Sequence, residues 1–556
     1  MKKRYILTAA LLAMSICTTG AAKSWTAADI RSLQTGILTK GAPAVYDLDG
    51  SGEVDTFDLA LMKRSLREPG EVRVQSIPVT AETAKLQSRT VEQDGTLWLV
   101  QSGSAAEFTV QGTSASLTLA GSSGIKNGAD YRPRYAVYVD DELLCDTVME
   151  QSSEIVALWS GAEKSAKVKV MLLSEAMYGG VGIRSVEAES GAVQPVTPAA
   201  QNPLLIEFIG DSITCAYGVE GASQGDSFKT STENFSKSYA YLTAQKLGAD
   251  YTTCCYSGHG IVSGYTSDGS KNAESLIPDC YAKTSKFKDY NAAWDFARQP
   301  DAVVINLGTN DINYVAAAPE TNGAEFVEGY KAFLQTVRDK NPDAAIICTV
   351  GTMGGDDVYK LIEQAVSEFG DAKVSCYFSK THSMADGLGS DWHPSEKTQQ
   401  NSAYVLADKI STALGLESDQ IGLNAADAAK YDLVLGGTAN AAHYVSDFDK
   451  SFWVNTVTGG ADAGDVQAVL RSITLKAGEY RLCFDCTGAA SEFPVVIRSG
   501  DAVLFEGTAS AAADGAHFEE SVTFRSGAED AELAFLLGGK DSYSVTLRNI
   551  SLVRVK

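Results

Sequence analysis

Histidine is scarce in this 556-residue chain, with five in all. They form no cluster with one another or with cysteines at ligand spacing, which excludes a zinc site of the usual kind. Positive charge is short as well: Lys and Arg number 46 against 70 Asp and Glu, for a net charge of -24. The charge falls to about -27 if Lys2, Lys3 and Arg4 leave with a signal peptide. Phosphate contacts need an excess of Lys and Arg, so nucleic-acid and anionic-membrane partners are argued against, while a neutral sugar is compatible. No segment reaches the roughly 18 to 20 apolar residues of a membrane span. The ten cysteines have no regular spacing; Cys254 and Cys255 are adjacent, and Cys483 and Cys486 are three apart. Neither arrangement suits an easy disulfide, so buried free thiols are expected, as in a secreted protein from a reducing, anaerobic setting.

Such a length implies three or four domains. Residues 1–22 read as a secretory signal peptide, with basic Lys2-Lys3-Arg4, apolar Tyr5 to Ile16, and small Gly20, Ala21 and Ala22. The bulky Ile16 argues against a lipid-modified Cys17. Residues 23–68 are short, helical and acidic. Residues 71–195 alternate apolar and polar side chains in short runs such as Ala106-Glu107-Phe108-Thr109-Val110, the pattern of a β-sandwich. Pro195, Pro198 and Pro203 mark a linker. Over 200–417 strand and helix alternate, with strands expected at Leu204–Ile209, Tyr251–Cys255, Val303–Leu307, Ala345–Val350 and Val374–Phe378. Phe326, Val327, Tyr330, Phe333, Leu334 and Val337 form the clearest helical stripe. This is the pattern of a doubly wound α/β domain with a parallel sheet, whose reactive groups collect at the carboxyl ends of the strands. Residues 420–556 are strand-rich again, a second sandwich.

The first α/β strand runs into Gly210-Asp211-Ser212. A serine there projects over the sheet edge beside free helix N–H groups, as a nucleophile needs, although it could merely cap the helix. The Gly-x-Ser-x-Gly elbow is absent around Ser212. Three further motifs fall at strand ends: Tyr256-Ser257-Gly258-His259-Gly260, Gly308-Thr309-Asn310-Asp311 and Asp391-Trp392-His393-Pro394. In this order the four blocks resemble those of the SGNH (GDSL-type) hydrolases, with their flavodoxin-like parallel sheet, over most of 200–417. The resemblance implies Ser212 as nucleophile, His393 as general base, and an oxyanion hole from the N–H groups of Ser212 and Gly258 and the amide of Asn310. The family's acid precedes the histidine by three residues; here that position is Ser390, and Asp391 is one closer. Either Asp391 orients His393, or a backbone carbonyl does and the unit is a Ser–His dyad; the dyad is preferred. His259 is expected to line the cleft without a second catalytic role, and Asp311 to orient its loop.

A sandwich followed directly by this domain resembles carbohydrate esterase family 2. Supporting stretches are Arg132-Pro133-Arg134-Tyr135-Ala136-Val137-Tyr138-Val139, Thr232-Glu233-Asn234 and Asp391-Trp392-His393-Pro394-Ser395. The resemblance implies hydrolysis of O-acetyl groups on xylan, glucomannan or a similar plant polysaccharide, with Trp392 and Tyr265 as candidate sugar platforms, and no catalytic cofactor. Asp47, Asp49, Ser51, Glu53, Asp55 and Asp58 around Gly52 have the spacing of an EF-hand-type Ca2+ loop. With the helix that follows, this segment resembles half of a type I dockerin, which implies a cohesin-bearing scaffold as partner and secretion to the cell surface or a cellulosome. A structural calcium-stapled cap is the other reading. The C-terminal sandwich is similar in general form to carbohydrate-binding modules. The competing function is a glycan-binding protein with weak or vestigial esterase activity; a lipase or thioesterase of the same fold is a rival among enzymes.

Overall fold

The computed structural model describes residues 73–379, 382, 384–416, 420–422, 431–445, 451–513 and 515–554, with Ser32, Leu33 and Val54. The signal peptide and the six calcium-loop residues Asp47, Asp49, Ser51, Glu53, Asp55 and Asp58 lie outside the described residues.

Five parallel strands, Leu205–Gly210, Asp250–Cys255, Ala302–Asn306, Ala345–Gly351 and Val374–Ser379, form one sheet in the order second, first, third, fourth, fifth. The first four are buried along their whole length, as strands covered by helices on both faces must be. Register pairs Gly210 with Cys255 on one side and with Asn306 on the other. Three strands therefore finish together, and the loops carrying Ser212, Gly258 and Asn310 leave from one edge. Helix Pro319–Lys340 buries Phe326, Val327, Tyr330, Phe333, Leu334 and Val337 on the sheet. Helix Glu396–Leu414 begins at Ser395, whose hydroxyl accepts the Thr398 N–H at 3.2 Å, a cap of about 1 kcal/mol.

Ahead of this domain lies a β domain whose strands join in one ten-stranded network. Its spine is the antiparallel pair Ala105–Gly121 and Ser153–Leu172, with register shifts near Gly112 and Ala115 where long strands bend. Alternation along these strands sorts their side chains. Phe108, Val110, Leu117, Val168 and Val170 fill the β domain's own core. Ala105 and Met171 face the other way, and pack with Ile206, Phe208, Phe235 and Tyr239 of the α/β domain.

Buried charge ties the same junction. Arg89, with no exposed surface, donates to the carbonyls of Tyr281 and Lys283 at 2.6 Å each and to Glu207 at 3.1 Å. Lys85 meets Asp250 at 3.1 Å. Arg134, from the Arg132–Val139 stretch, pairs with Asp146 and, across the junction, with Glu220, each at 2.7 Å. The C-terminal residues form a six-stranded and a five-stranded sheet around a shared core that includes Phe452, Leu482, Phe484, Val495 and Phe535. Arg481 of this region lies over the Tyr404 ring at 4.2 Å, and Lys397 pairs with Glu519.

Among the described residues no helix is long and apolar enough to cross a membrane. The described cysteines are free thiols, and all but Cys145 and Cys376 are buried.

Candidate active site

The Leu205–Gly210 strand turns directly into the short helix Ser212–Cys215. Only glycine fits at 210, where a Cβ would stand 1.9 Å from Thr214 Oγ1. Asp211 caps the helix, accepting the Ile213 N–H at 3.0 Å. Ser212 is thereby presented at the carboxyl edge of the sheet, with its Oγ 2.9 Å from His393 Nε2. The other imidazole nitrogen, Nδ1, lies 3.0 Å from the Asp391 carbonyl and 3.2 Å from that of Ser390. Carbonyls only accept, so the proton resides on Nδ1 and the Nε2 lone pair faces the serine. Burial pushes the imidazole pKa down to about 4, which keeps the ring neutral at pH 7.

The Asp391 carboxylate does not reach His393. It accepts the Tyr217 hydroxyl at 2.9 Å and the Phe228 N–H at 3.2 Å, so Asp391 meets the His393 ring through its carbonyl rather than its carboxylate. This requires left-handed backbone at two consecutive non-glycine residues, Asp391 (φ 50) and Trp392 (φ 64), a strain of about 1–3 kcal/mol each. Surrounding bonds hold the turn: Ser390 N–H to Gly218 O at 2.9 Å, Asp391 N–H to Asp226 O at 3.1 Å and Gly389 N–H to His393 O at 2.9 Å. Ser390 is fully buried. Its neighbours are Gly218 and Gly221, where an added Cβ would lie 2.5 Å from Ser390 Cβ and 2.3 Å from Ser390 Oγ. The position leaves no room for a carboxylate.

Gly258 (φ 74) opens toward empty space, with nothing within 4 Å of a Cβ added there. Among the described residues neither its N–H nor that of Ser212 donates to a protein acceptor. Asn310 Nδ2 donates to the His259 carbonyl at 2.9 Å and to Asp211 Oδ2 at 3.2 Å. Both Asn310 amide protons are thus engaged, and a third acceptor must share one of them. Burial raises the Asp211 pKa to about 7. Asp311 accepts the N–H groups of Ile261, Val262 and Ser263 at 2.9–3.2 Å, and so shapes the loop that follows Gly258. His259 Nδ1 meets the Ser257 carbonyl at 2.8 Å and its Nε2 meets Lys286 Nζ at 2.7 Å; both nitrogens are occupied and neither faces Ser212.

Trp392 and Tyr265 are 57% and 58% exposed. Trp392 precedes the histidine, and the Tyr265 N–H donates to Gly258 O at 2.9 Å. Sequence reasoning assigned no role to Tyr217, Glu175 or Asp211. Asp211 lay in the Gly-Asp-Ser motif itself. Tyr217 and Glu175 gave no local signal, because their partners Asp391 and Ser257 are 174 and 82 residues away.

A serine and a histidine at hydrogen-bond distance at one edge of a parallel sheet are the arrangement of a GDSL-type hydrolase domain. Residues 208–401 match the GDSL-like Lipase/Acylhydrolase family. The chain is 36% identical over 325 residues to the cellulase/esterase CelE of Acetivibrio thermocellus, a match spanning 56% of this chain and 37% of CelE. It is 27% identical to an acetylxylan esterase / glucomannan deacetylase of Cellvibrio japonicus, spanning 44% of this chain and 66% of that protein. The chain thus spans less than two thirds of either curated relative. A solved family two carbohydrate esterase from Clostridium thermocellum, in complex with cellohexaose, is 31% identical with a TM-score of 0.53, covering 60% of this chain and 99% of that one. The chain belongs to carbohydrate esterase family two.

Proposed function

We propose that the protein is a secreted esterase that removes O-acetyl groups from hemicellulose, xylan or glucomannan, through an acetyl-enzyme on Ser212. The observation that carries this reading is the 2.9 Å contact between Ser212 Oγ and His393 Nε2, with Nδ1 anchored on two carbonyls. Ser212 Oγ adds to the acetyl carbon as His393 takes its proton. The sugar oxygen leaves with that proton. Water, deprotonated in turn by His393, adds to the acetyl carbon and acetate departs, restoring Ser212. The N–H groups of Ser212 and Gly258, with the Asn310 amide, receive the oxyanion, each such donor supplying about 2.7–4 kcal/mol. Trp392 and Tyr265 offer flat apolar faces to the pyranose rings. The names of the relatives support the polysaccharide as substrate.

The test is acetate release from acetylated xylan and acetylated glucomannan, with Ser212→Ala as control. Release by the wild type alone is expected. No release from either polymer, with binding retained, would mean that recognition is the function. In the same reading residues 23–68 hold one Ca2+ and dock a cohesin-bearing scaffold. Calorimetric titration of the full chain should show one Ca2+ site that Asp47→Ala removes, and failure to bind any cohesin of the host would leave the loop as a structural cap.

A further inference from the structure

The β domain sends one carboxylate to the rim of the active site. Glu175 has no exposed surface, and its Oε2 accepts the Ser257 N–H at 2.7 Å while its Oε1 accepts the Ser257 hydroxyl. Ser257 is the residue before Gly258, so the bonds that hold Ser257 also set the peptide whose N–H donates to no protein acceptor among the described residues. Glu233, from the Thr232-Glu233-Asn234 stretch, supports Glu175 in turn: its Oε2 accepts the Glu175 N–H at 2.9 Å. Arg134 holds the Glu233 carbonyl at 3.1 Å.

The two carboxyl groups and Cys215 Sγ have atoms within 4.8 Å of one another, all buried. Among the described residues no cation neutralises them, since the Arg134 side chain pairs with Asp146 and Glu220. Two buried carboxyl groups this near one another disfavour being charged together. Burial pushes both Glu175 and Glu233 upward. Among the described residues Glu233 Oε1 has no hydrogen-bond partner, which leaves it available for a proton held between the pair.

We propose that Glu175 is a positioning residue for ester hydrolysis, a strut from the β domain that fixes the Ser257–Gly258 peptide while sharing one proton with Glu233. The inference rests on the esterase reading of Ser212 and His393. It assigns the β domain a part in catalysis without contact to substrate, and explains why that domain is welded to the α/β domain by buried charge.

The experiment uses the full chain with Glu175→Ala, Glu175→Gln and Ser257→Ala. Hydrogen exchange measured by mass spectrometry should show lost protection over residues 256–262 in Glu175→Ala. Glu175→Gln keeps an acceptor for the Ser257 N–H and should restore the protection. On a chromogenic acetate ester, kcat should fall about 10- to 100-fold in Glu175→Ala and about 10-fold in Ser257→Ala, with KM within about twofold and most of kcat recovered in Glu175→Gln. Ser257→Ala keeps the reading testable if Glu175→Ala does not fold. Unchanged exchange, or wild-type kcat in Glu175→Ala or Ser257→Ala, would overturn the strut; so would stoichiometric metal in the purified protein, which would make the cluster a ligand set. A wild type without esterase activity but with the expected exchange pattern would sink the esterase reading and leave the structural placement standing.

Discussion

Tyr217 lies against the His393 ring with centroids 4.2 Å apart, and donates its hydroxyl to the Asp391 carboxylate at 2.9 Å. The carboxylate two residues before the histidine therefore clamps a loop and makes no bond to the imidazole. Asp391→Ala should lower kcat/KM by about tenfold through loosened geometry, far short of the roughly 10⁴-fold that follows when a true triad acid is disabled. A loss of the larger size would show that the carboxylate acts on His393 directly.

The pH dependence follows from the same histidine. In the proposed mechanism the base works neutral, and burial lowers the His393 pKa to about 4. Activity should be lost as pH falls through about 4, and kcat/KM should show no histidine inflection between there and neutrality. A half-activity point near the ordinary value of about 6.5 would mean that water reaches the ring more freely than the fold suggests.

Restoring the family's acid should fail. Ser390→Asp would force a carboxylate into a fully buried site against Gly218 and Gly221, with both nearby carbonyls already on His393 Nδ1. We expect a stability loss of about 2 kcal/mol or more, read by denaturant unfolding, and lower activity. A gain in kcat at unchanged stability would show that the turn can open for an acid.

Trp392 should matter for polymers and little for small esters. Trp392→Ala is expected to raise KM on acetylated glucomannan at least about fivefold, roughly 1 kcal/mol, and to leave KM for a chromogenic acetate almost unchanged. Equal effects on both substrates would count against a sugar platform.

The junction offers a stability test. Arg89→Met removes the cation from buried Glu207 and should cost about 3–5 kcal/mol. Pairing it with Glu207→Gln should recover part of that loss, because no unpaired charge then remains. Additive losses in the double variant would deny that the two side chains are coupled.

The five strands and the long apolar helix were legible because each repeats a local pattern: continuous apolar runs for strands covered on both faces, and a 3.6-residue stripe for a helix covered on one. Observed strand ends differ from the expected ones by a residue, as at Leu205–Gly210 and Asp250–Cys255. The four motifs were legible for a related reason, since strand ends at one sheet edge must gather in one place. The β domain was readable as alternation. Its union with the α/β domain was not, because alternation cannot say what covers the second face of a strand.

By itself the sequence determined the parallel sheet, the position of Ser212 just past its first strand, and the absence of an acid three residues before His393. Only the tertiary structure decided how that histidine is held. Two carbonyls reach Nδ1 because Asp391 and Trp392 are kept in left-handed backbone by bonds to Gly218, Asp226 and Tyr217. Only it placed Glu175 behind the glycine loop. Both depend on hydrogen bonds between residues remote in the chain, which no local pattern of side chains encodes.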